Sequence, residues 1–238
     1  MKTACCGLLA TTWKFRFGLF PVILLLLGNT VVQGAGGATS PIYSCTFQPG
    51  GWQRADWLRV KNPMGEHFGD WVQQPQCITN EVPAGTTAEN FRGNLADSYS
   101  SMVYKEKVTG NVTITSTMAF AGEMAPLIVL APDLPENAKG QKEYREHFEV
   151  VIFNQGVNIW RYLVKDGKLV FRKAAFASFR LEKDVKYPLQ VSKVDKTLTV
   201  SIAGHSFGYF DDALPDTCYV GITGCEGLNR FYDFAVRR

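Results

Sequence analysis

From residue 40 to the C-terminus, short runs rich in β-branched and aromatic residues recur about every ten positions. This rhythm constrains the fold more than any other feature. The runs cover residues 42–47, 111–120, 127–130, 147–153, 158–164, 168–172, 189–194, 197–202, 206–210, 219–222 and 231–236, with Gly, Pro, Asn and Asp between them. No segment sustains an apolar pattern at helical spacing with caps at both ends, and residues 97–107 have room for one short helical turn. Many strands and almost no helix predict two stacked antiparallel sheets or a barrel. About 200 residues of all-β sequence suit a two-sheet antiparallel jelly-roll β-sandwich better than a seven-stranded immunoglobulin fold. No Pro/Ser linker, low-complexity tract or internal repeat breaks this stretch, so residues 35–238 read as one domain.

Residues 1–34 have a different composition. Lys14 and Arg16 precede an apolar stretch over residues 17–27, and Val32-Gln33-Gly34 offers small side chains for cleavage before Ala35. The pattern is that of a signal peptide, with an uncleaved anchor as the alternative. The apolar stretch falls short of the roughly 20 residues that a membrane span needs, and Pro21 interrupts it. The expected location is therefore outside the cytoplasm, whether periplasmic, secreted or extracellular. Removing the segment takes away Lys2, Lys14 and Arg16 and no acid, leaving 22 basic and 22 acidic side chains. A chain of zero net charge has no general attraction to nucleic acid or anionic lipid, so neither is an expected partner once the signal is gone.

Four cysteines remain after residue 34: Cys45, Cys77, Cys218 and Cys225. An even number in an exported chain predicts two disulfides, with buried free thiols as the alternative. A Cys218–Cys225 bridge is disfavoured because an extended run between them spans roughly 23 Å. No paired-cysteine or paired-histidine signature suggests zinc. Asn111-Val112-Thr113 is a glycosylation sequon.

Three passages carry a resemblance. Tyr43-Ser44-Cys45-Thr46-Phe47 with Trp57-Leu58-Arg59-Val60, the ribbon Thr197 to His205, and the ending Tyr219 to Gly224 through Arg230 to Val236 are similar to strands of concanavalin A-like lectin/glucanase sandwiches, of the laminin G-like jelly-roll kind. The resemblance spans nearly all of residues 35–238 and implies a concave sheet that often holds an extended sugar polymer. It does not imply a reaction, because that superfamily includes lectins, hydrolases, lyases and adhesion modules. The Glu-x-Asp-x-Glu strand of family-16 hydrolases and the Gln-x-His strand of alginate lyases are absent.

One hairpin, residues 143–165, reads as a site. A three-residue loop, Asn154-Gln155-Gly156, uses Gly156 for positive φ and sets Phe153 opposite Val157. Glu149 then faces Arg161, and His147 faces Leu163. Phe148, Val150, Ile152, Trp160 and Tyr162 make one apolar face, while Arg145, His147, Glu149 and Arg161, mixed with Val151 and Ile159, project from the other. A two-residue loop would mix Arg161 with Phe148 and Val150. The competing structural reading makes Glu149–Arg161 a cross-strand ion pair on a solvated face.

The predicted catalytic residues are His147, Glu149 and Arg161. The predicted carbohydrate-binding residues are Arg145, Trp57 and Trp71, with Trp52, Tyr99 and Tyr104 as further rings and core packing as the competing reading of the tryptophans. An arginine would neutralise a uronate, and His147 or a tyrosine would move the proton, which is a lyase inventory. A hydrolase would need a second carboxylate from a loop, such as Glu66, Asp70, Glu81 or Asp97. His67 and His205 read as loop and turn residues. Asp211, Asp212 and Asp216 would hold structural calcium or serve turn chemistry. No other cofactor is expected, and the oligomeric state is left open. The expected function is an exported carbohydrate-active protein acting on a polysaccharide, either a lyase or hydrolase or a non-catalytic glycan-binding or adhesion module.

Overall fold

The strand over residues 112–120 buries Val112, Ile114, Ser116 and Met118 and turns Thr113, Thr115 and Thr117 outward, so one sheet face meets a core and the other meets solvent. The computed structural model describes residues 41–86, 98–122 and 124–238. The proposed signal segment and Asp97 lie outside the described residues. Seventeen strands follow in chain order among these residues. They begin with β1 (Pro41–Thr46), β2 (Trp57–Arg59), β3 (Trp71–Gln73), β4 (Ile78–Asn80), β5 (Ser100–Tyr104) and β6 (Val108–Thr109). Next come β7 (Val112–Phe120), β8 (Met124–Ala131), β9 (His147–Phe153), β10 (Gly156–Lys165), β11 (Lys168–Ser178) and β12 (Tyr187–Val194). The last are β13 (Thr197–Ile202), β14 (His205–Phe210), β15 (Thr217–Gly224), β16 (Asn229–Phe231) and β17 (Asp233–Arg237). The described helical residues are the 3-10 turn Arg54–Asp56 and Ser98.

Two antiparallel sheets result. One has nine strands in the order β14-β13-β12-β7-β16-β4-β3, with β17 pairing both β7 and β1. The other has eight in the order β11-β10-β9-β8-β15-β5-β2, with β6 on β15. The fold is an all-β, two-sheet jelly-roll sandwich, as the sequence predicts. No described helix is long and apolar enough to cross a membrane.

The main core lies between the sheets. Ile114, Met118, Leu189, Val191, Leu198, Val200 and Phe234 meet Ile128, Leu130, Phe148, Val150, Ile152, Val157 and Ile222, all nearly inaccessible. At about 25 cal/mol per Å² of apolar surface, this layer is the principal stabilising term. A second, smaller cluster covers the outer face of the eight-stranded sheet, where Val60, Leu134 and Tyr144 from loops pack on Val103, Leu127, Val129 and Val151.

The predicted disulfides are not formed. Cys45, Cys77, Cys218 and Cys225 are all free, and the last three are buried. Burial raises each thiol, Cys45 and Cys218 to about 11, so they pack as small apolar side chains.

Candidate functional site

The β9–β10 hairpin decides where the site residues go. Its turn holds two residues, so Gly156 pairs with Phe153, Trp160 with Glu149, Arg161 with Phe148 and Tyr162 with His147. The predicted three-residue loop is therefore shifted by one position, and the shift exchanges the faces of β10. Gly156 does have positive φ, at 129°, but it sits in the strand. A Cβ there would lie 2.0 Å from the Ala177 carbonyl oxygen of β11. Close approach of the neighbouring strand explains the glycine.

With this register Arg161 leaves Glu149 and turns towards the inter-sheet side. There its guanidinium reaches both Asp211 oxygens, at 3.2 and 3.1 Å, and stands over the Phe148 ring. Arg172 approaches the same carboxylate at 3.5 Å, and the Tyr209 hydroxyl donates to it. Burial opposes the Asp211 charge, but the Tyr209 and Ala213 hydrogen bonds and the two arginines outweigh it and hold the carboxyl below its ordinary pKa. An arginine is tolerated among apolar neighbours because Asp211, fifty residues away, meets it. Asp211 and Asp216 are thus taken by the chain's own cations, the latter by Lys196 at 3.1 Å. No group of three or more His, Cys, Asp or Glu among the described residues is arranged to hold a metal.

His147 and Glu149 stay together on the outer face of the eight-stranded sheet, at 1 % and 3 % exposure. His147 Nε2 lies 3.2 Å from Glu149 Oε1, and the Asn62 amide donates to that oxygen at 3.2 Å. Burial, and then the nearby Glu149 charge, push the Tyr162 hydroxyl well above its ordinary pKa. Three rings stack in sequence, Tyr144 on His147 at 4.8 Å and His147 on Tyr162 at 4.3 Å. The Tyr144 hydroxyl bonds Ser101, which bonds Thr223. A flap closes over the group, stitched by Lys61 N–H to the Lys142 carbonyl and Tyr144 N–H to the Lys61 carbonyl. Glu226 completes it. Burial, and then the Glu149 charge, raise its carboxyl to about 7. Glu226 Oε2 and His147 Nδ1 are buried with no hydrogen-bond partner. Glu226 is a carboxylate that the sequence reading did not single out.

The same face opens beyond this cluster. Phe153, Asn158, Trp160, Phe171, Lys173 and Phe176 share it, with Phe171 and Phe176 about half exposed. Trp160 meets Phe171 at 6.0 Å, Phe153 meets Phe176 at 6.2 Å, and Lys173 Nζ stands 5.6 Å from the Trp160 ring and 5.3 Å from that of Phe176. Asn158, 3 % exposed, sits in this terrace with an unpartnered Oδ1. Phe171 and Phe176 are five residues apart and would point to opposite faces of a regular strand. A β-bulge at Ala174 between the pairs Ile159–Ala175 and Trp160–Lys173 brings them to one face. That irregularity hid the terrace from a period-two reading.

The other expected ring and cation positions scatter. Trp57 is a core residue, edge-on to Phe234 at 5.1 Å, with its indole N–H donated to the Tyr43 hydroxyl. Trp71, on β3 rather than in a loop, is buried edge-on to Phe231 at 5.3 Å. Neither presents a ring face to solvent. Trp52 packs on Phe47, and Tyr99 is buried. Arg145 is exposed beside Leu134 and Tyr219, lining a separate cavity of about 630 Å³. Asp70 is paired with Arg54, Glu81 lies 3.8 Å from His67, and His205 stacks on Phe179.

No protein-family model and no curated protein matches this chain. Solved structures do. The chain is similar to the carbohydrate binding module CBM66 from Bacillus subtilis, at 10 % identity and TM-score 0.54 over 77 % of this chain and 96 % of that one. A protein of unknown function with a galectin-like fold from Bacillus subtilis gives 12 %, TM-score 0.53 and coverages of 83 % and 96 %. The exoplasmic/lumenal domain of VIP36, in its Ca2+/Man3GlcNAc-bound form, gives 12 %, TM-score 0.50 and coverages of 82 % and 87 %. At such identities the likeness is one of fold: a lectin-like jelly-roll sandwich.

Proposed function

We propose that this protein is a non-catalytic glycan-binding module, acting after export, whose terrace of Phe153, Trp160, Phe171 and Phe176 stacks against sugar rings. The observation that carries this reading is the exposed aromatic group itself. Rings that contribute little to the main core lie side by side at the open end of a sheet face. Flat rings suit the apolar faces of pyranoses, and Lys173 adds a cationic donor. The sugar-binding neighbours named above share this sandwich and support the reading by analogy.

His147 and Glu149 fit a positioning role better than a catalytic one. A general acid or base must reach the substrate, and these two lie beneath the flap. Glu149 bonds His147, whose ring stacks on Tyr162, and Tyr162 in turn stacks on Phe171 at 5.5 Å and so fixes one side of the terrace.

A polysaccharide panel tests the proposal. The wild type is expected to be retained by at least one glycan without releasing reducing ends or unsaturated products. Trp160→Ala should weaken retention about tenfold or more. Product formation, or unchanged retention by the variant, would overturn it.

A further inference from the structure

We infer that the outer face of the nine-stranded sheet is a second glycan-binding surface, one that takes an extended neutral polysaccharide and makes the module bivalent. It lies on the opposite side of the sandwich from the terrace and stands without it. A groove of about 930 Å³ crosses this face. Strand pairing fixes its central row: Ser44 faces Ala235, which faces Thr115, then Gln190, Ser201 and Ser206. Six strands at the usual spacing make a row roughly 24 Å long, enough for several sugar units.

The chemistry of the row points to the ligand. Solvated sheet faces ordinarily intersperse Lys, Glu, Asp and Arg. Here the lining holds no lysine or glutamate, and its full charges are Asp233 and Arg237, with His205 at the hairpin tip. The Asp233 carboxylate is already engaged by the Thr117 amide at 2.7 Å. In place of charges stand hydroxyls and one amide, partly linked to one another, with Ser201 to Ser206 at 3.0 Å and Thr113 to Ser192 at 3.1 Å. A hydroxyl both donates and accepts, so such a row is complementary to a chain of sugar hydroxyls whichever way each points. An anionic polymer would find little to neutralise it. Two rows further on, Phe210 is 63 % exposed on the same face beside Thr197 and offers a ring for stacking. Two binding faces turned away from each other would let one molecule bridge two polysaccharide chains.

The test separates the two faces. Thr115→Val with Gln190→Leu removes groove polar groups at similar side-chain volume, and Trp160→Ala with Phe171→Ala removes the terrace. Each pair is checked for an unchanged melting temperature, then mixed with long neutral polysaccharides. Wild type should cross-link the polymer into a turbid network. Each single-face variant should still bind but lose turbidity, with apparent affinity falling about 100-fold or more as bivalency is lost. If the terrace variant binds nothing while the groove variant behaves as wild type, the groove inference fails and the terrace reading stands. If the groove variant alone loses binding, the terrace reading fails instead. Concentration-dependent dimerisation abolished by Thr115→Val/Gln190→Leu, without polysaccharide binding, would assign the face to a second copy and overturn the inference. A wild type that binds no neutral polysaccharide overturns it as well.

Discussion

The outer face of the eight-stranded sheet has two ends built on opposite rules. At one end His147, Glu149 and Asn62 are shut beneath a flap with hydrogen bonds that converge on Glu149, and the half-buried Glu226 stands near them. At the other, Trp160, Phe171 and Phe176 lie towards water. Folding alone would favour the reverse arrangement, because apolar surface gains by burial and polar groups lose hydration. The difference assigns the costs. The closed end spends desolvation on a fixed polar scaffold, and the open end leaves apolar area uncovered for a ligand.

The largest effect should come from breaking the closed end. Glu149→Leu leaves the His147 ring and the Asn62 amide buried without their shared acceptor and should cost roughly 3–5 kcal/mol in urea unfolding. A cost under about 1 kcal/mol would mean that the two ends do not differ in this way. The next effect is one of pH. Glu226 holds its proton to about 7 when folded, against an ordinary value near 4.5. Its stabilising contribution is complete below pH 4.5 and is lost as pH rises through 7, a fall of roughly 3 kcal/mol. Glu226→Gln should abolish that fall, and a persistent fall in the variant would point to another group. The smallest stability effect belongs to the open end. Phe176→Ala should shift urea unfolding by under about 1 kcal/mol while weakening glycan retention, and a large destabilisation would return Phe176 to the scaffold.

These contrasts also explain what the sequence could reveal. Thr113, Thr115 and Thr117 alternate with apolar neighbours, so β7 and its buried side were legible from pattern alone. Gly156 fits either a loop or a crowded strand, and only the Ala177 carbonyl settles which. The choice between registers turned on whether Arg161 could sit near Phe148 and Val150. Asp211 permits that, and a distant counter-ion leaves no trace in a local pattern. Trp57 and Trp71 look like loop rings until three-residue strands place them in the core. The pairing of His147 with Glu149 was readable from their spacing, whereas their burial depends on a flap held by contacts with Lys61, far away in sequence.

The bulge at Ala174 matters for more than the aim of two phenylalanines. β11 is an eleven-residue strand at the margin of its sheet, with exposed Val170, Phe171 and Phe176. A straight ladder of free backbone groups beside such side chains would invite edge-to-edge aggregation. The extra residue breaks the regular hydrogen-bonding frame midway, and Lys168, Arg172 and Lys173 place like charges along the same margin. The irregularity that assembles an exposed sticky surface therefore also denies a growing fibril its template.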